Sequence, residues 1–167
     1  MGGTMSLTYA AAHPGRVRNL VLLAAPADTD HGGLLSTWAR STGLDLDNLA
    51  ESFGLIPAWL LQTAFTLLKP TWMLQQHAAL PSVWNQPQIL RGYLALTRWA
   101  NDNIPVSGAV LRDWAHGIYR DNGLVRGTLR VHGAPLRLDR LDAAVCNVIA
   151  GKDHIIPPAC SRALSGL

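Results

Sequence analysis

The first 28 residues constrain the fold most, because a helical pattern gives way there to a strand pattern. Residues 4–12 contain good helix formers with an apolar stripe, and His13-Pro14-Gly15 ends this helix because proline cannot continue its hydrogen-bond ladder. Residues 20–24 form the continuous apolar run of a parallel strand buried on both faces. Gly2 and Gly3 let a helix start pack closely on a strand. Any buried αβ unit shares this pattern, which predicts an α/β protein.

The composition is that of a single globular domain, with 167 residues, 49% hydrophobic and 15% charged. No apolar run approaches the roughly 18 residues of a membrane span, and no signal peptide is evident. The net charge of +3 comes mostly from dispersed arginines, so we expect no nucleic acid partner. Cys146 and Cys160 lack the number and spacing of a disulfide framework or metal site. We therefore expect a cytoplasmic protein without metal or cofactor.

Residues 29–135 differ in character from the flanking segments, and all six tryptophans lie within them. Apolar residues at helical spacing predict helices over 56–69, 88–100 and 108–119, the first of them buried. Asp121-Asn122-Gly123 predicts a turn, and residues 128–138 predict a short hairpin. Such stripes are typical of an ordinary packed core, and the more specific interpretation is a helical cap that gates an acyl substrate.

A second chemical signal lies near the end of the chain, where residues 144–150 predict a buried strand that leads into Gly151-Lys152-Asp153. Ligands of open α/β sheets bind beyond the carboxyl ends of the strands, so an acid at this position is well placed for catalysis. Asp153 is therefore a candidate triad acid that orients a histidine. The alternative is a loop aspartate that caps the helix expected near Pro158.

No histidine or cysteine of the chain completes a triad with Asp153. His154 is its neighbour, and adjacent side chains on an extended segment point in opposite directions. The other histidines precede the acid, against the usual order, and are better explained as surface or cap residues: His13, His31, His77, His116 and His132. Cys146, inside the predicted buried strand, and Cys160, at the start of the last helix, lack the positive surroundings that activate a thiol.

The order and spacing of several motifs resemble the poly(3-hydroxyalkanoate) synthases, which are acyltransferases of the α/β-hydrolase fold. Met1-Gly2-Gly3 matches the end of their nucleophile motif, G-x-C-x-G-G. The remaining motifs follow in the same order along the chain: His13-Pro14 with Val17 and residues 19–24, Phe53-Gly54 with Ile56-Pro57, Leu68-Lys69-Pro70, Trp99 with Asp102, Pro105-Val106 with Gly108, and residues 151–158.

The resemblance implies a partial α/β-hydrolase core at 1–28 and 136–167, with an inserted helical cap at 29–135. It implies polymerisation of (R)-3-hydroxyacyl groups from coenzyme A into a polyester, through an acylated cysteine and a histidine base, with Asp153 as the acid. The backbone N–H of Met1 corresponds to an oxyanion-hole donor. The cysteine falls before Met1 and the histidine after the last residue, so we expect an inactive interior fragment of a longer enzyme.

Two alternatives stay open. The first is another cap-bearing α/β-hydrolase that acts on esters or thioesters. The second is a truncated, non-catalytic product that pairs with a full-length synthase through its tryptophan-rich cap. The resemblance leaves open a homodimer or a second synthase subunit, and it implies a location in the cytoplasm or at the surface of polyester granules.

Overall fold

The computed structural model describes residues 1–166, without the side chains of Trp72 and Met73. The chain divides into two compact units: Met1–Asp47 with the segment from Val110 onward, and Asn48–Ala109. The predicted division into 1–28, 29–135 and 136–167 stays a prediction. The helices are α1 (Gly2–Ala12), α2 (Gly33–Arg40), α3 (Leu46–Phe53), α4 (Ala58–Leu68), α5 (Pro70–Val83), α6 (Pro87–Asn101), α7 (Gly108–Asp113), α8 (Gly123–Arg126) and α9 (Pro158–Arg162).

The first unit contains a parallel pair of strands, β1 (Asn19–Leu23) and β6 (Ala144–Val148), in which Asn19 lies opposite Ala144. The ladder continues one step beyond β1, where the Ala24 N–H donates to the Val148 carbonyl at 2.9 Å. The predicted mixed α/β class and both predicted strands are confirmed, although each strand ends earlier along the chain than predicted. Since the two strands run in the same direction, the loops that follow them start from the same edge of the sheet.

The two strands are buried on one face only, which corrects the prediction of two covered faces. Leu20 and Leu22 of β1 are buried with Leu7 of α1, whereas Val21 and Leu23 are 70% and 75% exposed. No residue of β6 is fully buried, and Cys146 is exposed. The reason is the pleat: successive side chains point to opposite faces, and only one face packs on the core that contains α1.

The segment between α7 and β6 carries irregular structure. The helix predicted over 108–119 is α7 followed by a π-helix at Trp114–Arg120, and the predicted turn follows with Asn122 in the left-handed region at φ 51°. The predicted hairpin is confirmed as β4 (Arg130–Val131) and β5 (Ala134–Pro135). Three short 3₁₀ turns complete the described chain: Thr29–His31, Leu138–Arg140 and Ala163–Gly166.

The second unit contains α4, α5 and α6, and a short antiparallel pair of β2 (Leu55–Ile56) and β3 (Val106–Ser107). The helices predicted over 56–69 and 88–100 are confirmed within two residues, whereas α5, which contains Pro81, was not expected.

The prediction that the first of these helices is buried is wrong. No residue of α4 is fully buried, and Trp59 and Leu67 are 62% and 58% exposed. Within this unit α4 packs on α5, and α5 packs on α6. The contact with α5 covers only part of the apolar stripe of α4, and the rest of the stripe is exposed.

Candidate functional site

The loop that follows β1, residues 24–28, forms the centre of the candidate site. Ala24 adopts φ 45°, a left-handed conformation that a residue with a Cβ rarely adopts. Backbone strain of this kind persists only where the surrounding structure holds it, and it is found preferentially at functional sites. Here Ala24 is held by the ladder bond to Val148 and by the contacts that α1 and α9 make with the same loop.

The start of α1 packs directly on this loop. A Cβ built on Gly3 would lie 2.8 Å from the Ala25 Cβ, so only glycine permits this approach. The buried Thr4 hydroxyl donates to the Pro26 carbonyl at 3.0 Å. Met1 immediately precedes the helix, and its carbonyl accepts from the Met5 N–H at 3.0 Å. The N-terminus of α1 therefore lies at the carboxyl end of β1, where a helix favours developing negative charge.

Asp153 lies beyond the carboxyl end of β6, the edge at which the loop after β1 also starts. One carboxylate oxygen, Oδ1, accepts from the Ile155 N–H at 2.8 Å and the Ile156 N–H at 2.9 Å. Within residues 1–166 the Oδ2 atom accepts no hydrogen bond. The side chain is half-buried, so the backbone fixes one oxygen and leaves the second available to a donor.

Helix α9 follows Asp153 and holds the same loop from a second side. The Cys160 carbonyl accepts from the N–H groups of Ala27 and Asp28, at 3.2 and 2.9 Å. The buried Ser161 hydroxyl donates to the Ala25 carbonyl at 2.8 Å, and the Asn147 amide of β6 donates to the Ser161 carbonyl at 2.8 Å. The sequence predicted this helix near Pro158 but not its hydrogen bonds.

A buried polar network, which the sequence did not reveal, ties the end of the loop to the turn after the π-helix. Thr29 is fully buried, and its hydroxyl contacts the Ile118 carbonyl at 2.6 Å and Asn122 Oδ1 at 3.1 Å. Asn122 Oδ1 also accepts from the Thr29 N–H, while its amide donates to Asp28 at 2.8 Å. The Asp-Asn-Gly sequence signalled the turn, but nothing in it signalled a partner 93 residues away.

The histidines do not approach Asp153 through any described hydrogen bond. His154 is exposed, His13 stacks on Tyr9 with ring centroids 4.6 Å apart, and His116 Nε2 lies 3.6 Å from an Asp47 oxygen. His31, His77 and His132 are also exposed. Among the described residues, no three His, Cys, Asp or Glu side chains are arranged to hold a metal ion.

The two cysteines should differ sharply in reactivity, although the sequence placed both in buried elements. Cys146 is exposed, whereas Cys160 is fully buried and its burial raises its thiol pKa to about 11 from 9.0. A chromogenic disulfide reagent at about pH 8 should modify Cys146 at once and Cys160 only on unfolding. Rapid labelling of both thiols in the folded chain would contradict this burial.

The same thiol predicts a pH dependence of stability. In the unfolded chain Cys160 ionises near 9.0 and in the folded chain near 11, so the fold favours the neutral thiol. The contribution of the neutral Cys160 thiol to the stability of the fold is therefore complete below pH 9.0 and is lost as the pH rises to 11. The free energy of unfolding of Cys146→Ala should fall more steeply from pH 9 to 10 than that of Cys160→Ala, as measured by urea titration.

The described structure defines a mixed α/β protein with an acid and a helix N-terminus at one edge of a parallel strand pair. No family model matches the chain, and no solved structure matches it significantly. Curated proteins do match it. It is 32% identical to the poly(3-hydroxyalkanoate) polymerase subunit PhaC of Thiocystis violacea, over 98% of this chain and 46% of that protein.

Two further relatives carry the same name. The protein of Allochromatium vinosum is 33% identical over 99% of this chain and 47% of its own length, and that of Haloferax mediterranei is 30% identical over 100% and 34%. The chain thus spans half or less of these relatives. It is homologous to part of the poly(3-hydroxyalkanoate) synthases, which confirms the resemblance seen in the sequence. No helix in the described part of the chain has the length and apolar character needed to cross a membrane.

Proposed function

We propose that this chain is part of a poly(3-hydroxyalkanoate) synthase that polymerises (R)-3-hydroxyacyl groups from coenzyme A. The observation that carries the proposal is the position of Asp153, which follows a strand paired in parallel with the strand beside the N-terminus of α1. This is the relation between acid and nucleophile turn in an α/β-hydrolase sheet, the fold we propose for the complete enzyme. The names and coverage of the relatives support the same conclusion.

The proposed reaction has two acyl transfers with one catalytic histidine. The histidine takes the proton of the cysteine thiol, the thiolate attacks the thioester carbonyl, and coenzyme A leaves with that proton. The histidine then takes the proton of the hydroxyl of another 3-hydroxyacyl group. That oxygen attacks the cysteine thioester, an ester bond forms, and the proton returns to the cysteine sulfur. Each cycle extends the polyester by one unit and releases one coenzyme A.

Asp153 has the role of the acid in both steps. Its Oδ2 atom is open to a histidine N–H, and its Oδ1 atom is held by two backbone donors, so the carboxylate is oriented before the base arrives. A bond to this oxygen fixes the tautomer of the histidine and stabilises the imidazolium that forms in each step. The N–H of Met1, at the start of α1, is the proposed donor to the oxyanion of each tetrahedral intermediate.

We further propose that Asn48–Ala109 belongs to the helical cap, because its helices expose large apolar side chains suited to an acyl chain or a second subunit. The proposed location is the cytoplasm, including the surface of polyester granules. The catalytic cysteine and histidine are proposed to lie outside this chain.

The direct test is coenzyme A release from (R)-3-hydroxybutyryl-coenzyme A. The chain of 167 residues is compared with a version extended at both ends from its source DNA. We expect release, with polymer, from the extended version alone. Hydrolysis of a short acyl ester without polymer would identify an esterase instead, and release by the shorter chain would contradict the assignment of the nucleophile and base.

A further inference from the structure

Tyr119 carries a buried polar group that no described contact explains. It lies in the π-helix, is 1% exposed, and its hydroxyl has no hydrogen-bond partner among the described residues. Its ring packs on the Trp114 ring, with the two ring centroids 4.5 Å apart. The hydroxyl is therefore the part of the side chain that remains without a partner within the described chain. A buried hydroxyl without a partner is costly, and buried polar groups are almost always paired. π-Helical turns are frequent at functional sites, which makes a functional partner for this hydroxyl an explanation that can be tested.

One stretch of chain, residues 27–33, contacts both the residues that flank Tyr119 and the segment that follows Asp153. The 3₁₀ turn at Thr29 is hydrogen-bonded to Ile118 and Asn122, which flank Tyr119 along the chain. The same stretch is bonded to Cys160 through Ala27 and Asp28. A Cβ on Gly33 would lie 3.2 Å from Pro157 and 3.9 Å from the His154 carbonyl. Residues 27–33 thus contact both the π-helix and the 154–160 segment within the first unit.

Asp153 offers the acceptor that the hydroxyl lacks. Its Oδ2 atom accepts no bond within the described chain, whereas Oδ1 is fixed by Ile155 and Ile156. The nearby Cys160 thiol is a weaker acceptor than a carboxylate. The pKa of Tyr119 is raised, mainly by its burial and further by Cys160 and Asp153, which agrees with a carboxylate close to this phenol.

We propose that Tyr119 is a positioning residue for Asp153: when the complete site is assembled, the Tyr119 hydroxyl donates to Oδ2, whose two lone pairs can accept this bond and the histidine N–H together. The inference rests on the proposed function and adds to it a second support for the acid. The bond is not formed in this structure, and catalytic hydrogen bonds are often long before substrate binds. Donation from Tyr119 would keep the carboxylate directed at the histidine while that base moves its proton.

The first test uses this chain and needs no activity. The chain has three tyrosines, so 3-fluorotyrosine labelling gives three fluorine resonances, and Tyr119→Phe identifies the one of interest. We expect Asp153→Asn to shift this resonance and leave those of Tyr9 and Tyr93 unchanged. The exposed Asp139→Asn is the matched control and should shift none of them. A Tyr119 resonance that does not respond to Asp153→Asn would overturn the proposal.

The second test uses the extended, active version of the chain. Tyr119→Phe should lower kcat by about tenfold with an unchanged KM, because the loss affects acid orientation rather than substrate binding. It should leave the urea midpoint unchanged or raise it, since a hydroxyl without a partner is removed. Tyr9→Phe, at an exposed position, is the matched control and should change neither quantity. An unchanged kcat, or a kcat loss that follows a lower urea midpoint, would refute the positioning role.

The two tests separate this inference from the proposed function. If the extended version releases no coenzyme A, the synthase assignment fails, and the fluorine experiment still decides whether Tyr119 lies against Asp153. If the extended version is active and Tyr119→Phe is as active as the unmodified enzyme, the synthase assignment stands and the role of Tyr119 is rejected.

Discussion

Replacement of Asp153 by asparagine should lower kcat for coenzyme A release by about 10⁴-fold in the extended, active version of the chain, as expected when a triad acid becomes an amide. The amide keeps an oxygen for the N–H groups of Ile155 and Ile156, so the loop should retain its conformation. Its remaining group is an NH₂, which cannot accept from the histidine and favours the wrong tautomer. The measurement is steady-state coenzyme A release with a thiol-detecting reagent.

A matched substitution separates this effect from a general change of charge. Asp139 is an exposed aspartate that pairs with Arg137, and Asp139→Asn removes the same charge away from the strand edge. It should change kcat by less than about twofold, because exposed ion pairs contribute little. A loss below tenfold in Asp153→Asn, with an unchanged urea midpoint, would remove Asp153 from the role of acid.

Replacement of Leu22 by alanine should cost about 2–5 kcal/mol of the free energy of unfolding, the range for a large side chain truncated in a packed core. Leu22 is 1% exposed on the covered face of β1 and belongs to the core that includes Leu7 and Ala10. The substitution removes apolar contact and leaves a cavity between β1 and its packing partners. Urea denaturation of the chain followed by circular dichroism measures the change.

The neighbouring residue provides the control, because Leu23 is 75% exposed on the opposite face of the same strand. Leu23→Ala should change stability by less than about 0.5 kcal/mol, as surface substitutions usually do. Equal losses for the two variants would mean that both faces of β1 are covered in solution, for example by a second copy of the chain.

Local patterns predicted most of the elements but not how deeply each is buried. The Pro14 stop, the apolar runs of β1 and β6 and the Asp-Asn-Gly turn act within a few residues, and the structure contains each of them. Exposure depends instead on what packs against an element. The apolar character of Val21 and of α4 therefore predicted burial that the described contacts do not provide.

The candidate site shows the same division between local and distant information. Asp153 was predictable because the apolar run directly before it indicates a strand, and Asp153 follows the end of that strand. Thr29, Asn122 and Tyr119 were not, because their environment is created by residues far away along the chain. A threonine, an asparagine in a turn and a tyrosine at the end of a predicted helix each have common structural explanations when only the sequence is known.

The pairing of β1 with β6 has a consequence for the synthesis of the protein. Asn19 can pair only after Ala144 has been synthesised. The ribosome adds about 125 residues between these two positions, which takes roughly 6 to 25 s at cellular elongation rates. Throughout this interval the edge of β1 that pairs with β6 lacks its partner, and unpaired strand edges promote aggregation. Slower translation should accordingly increase the fraction of the protein that aggregates.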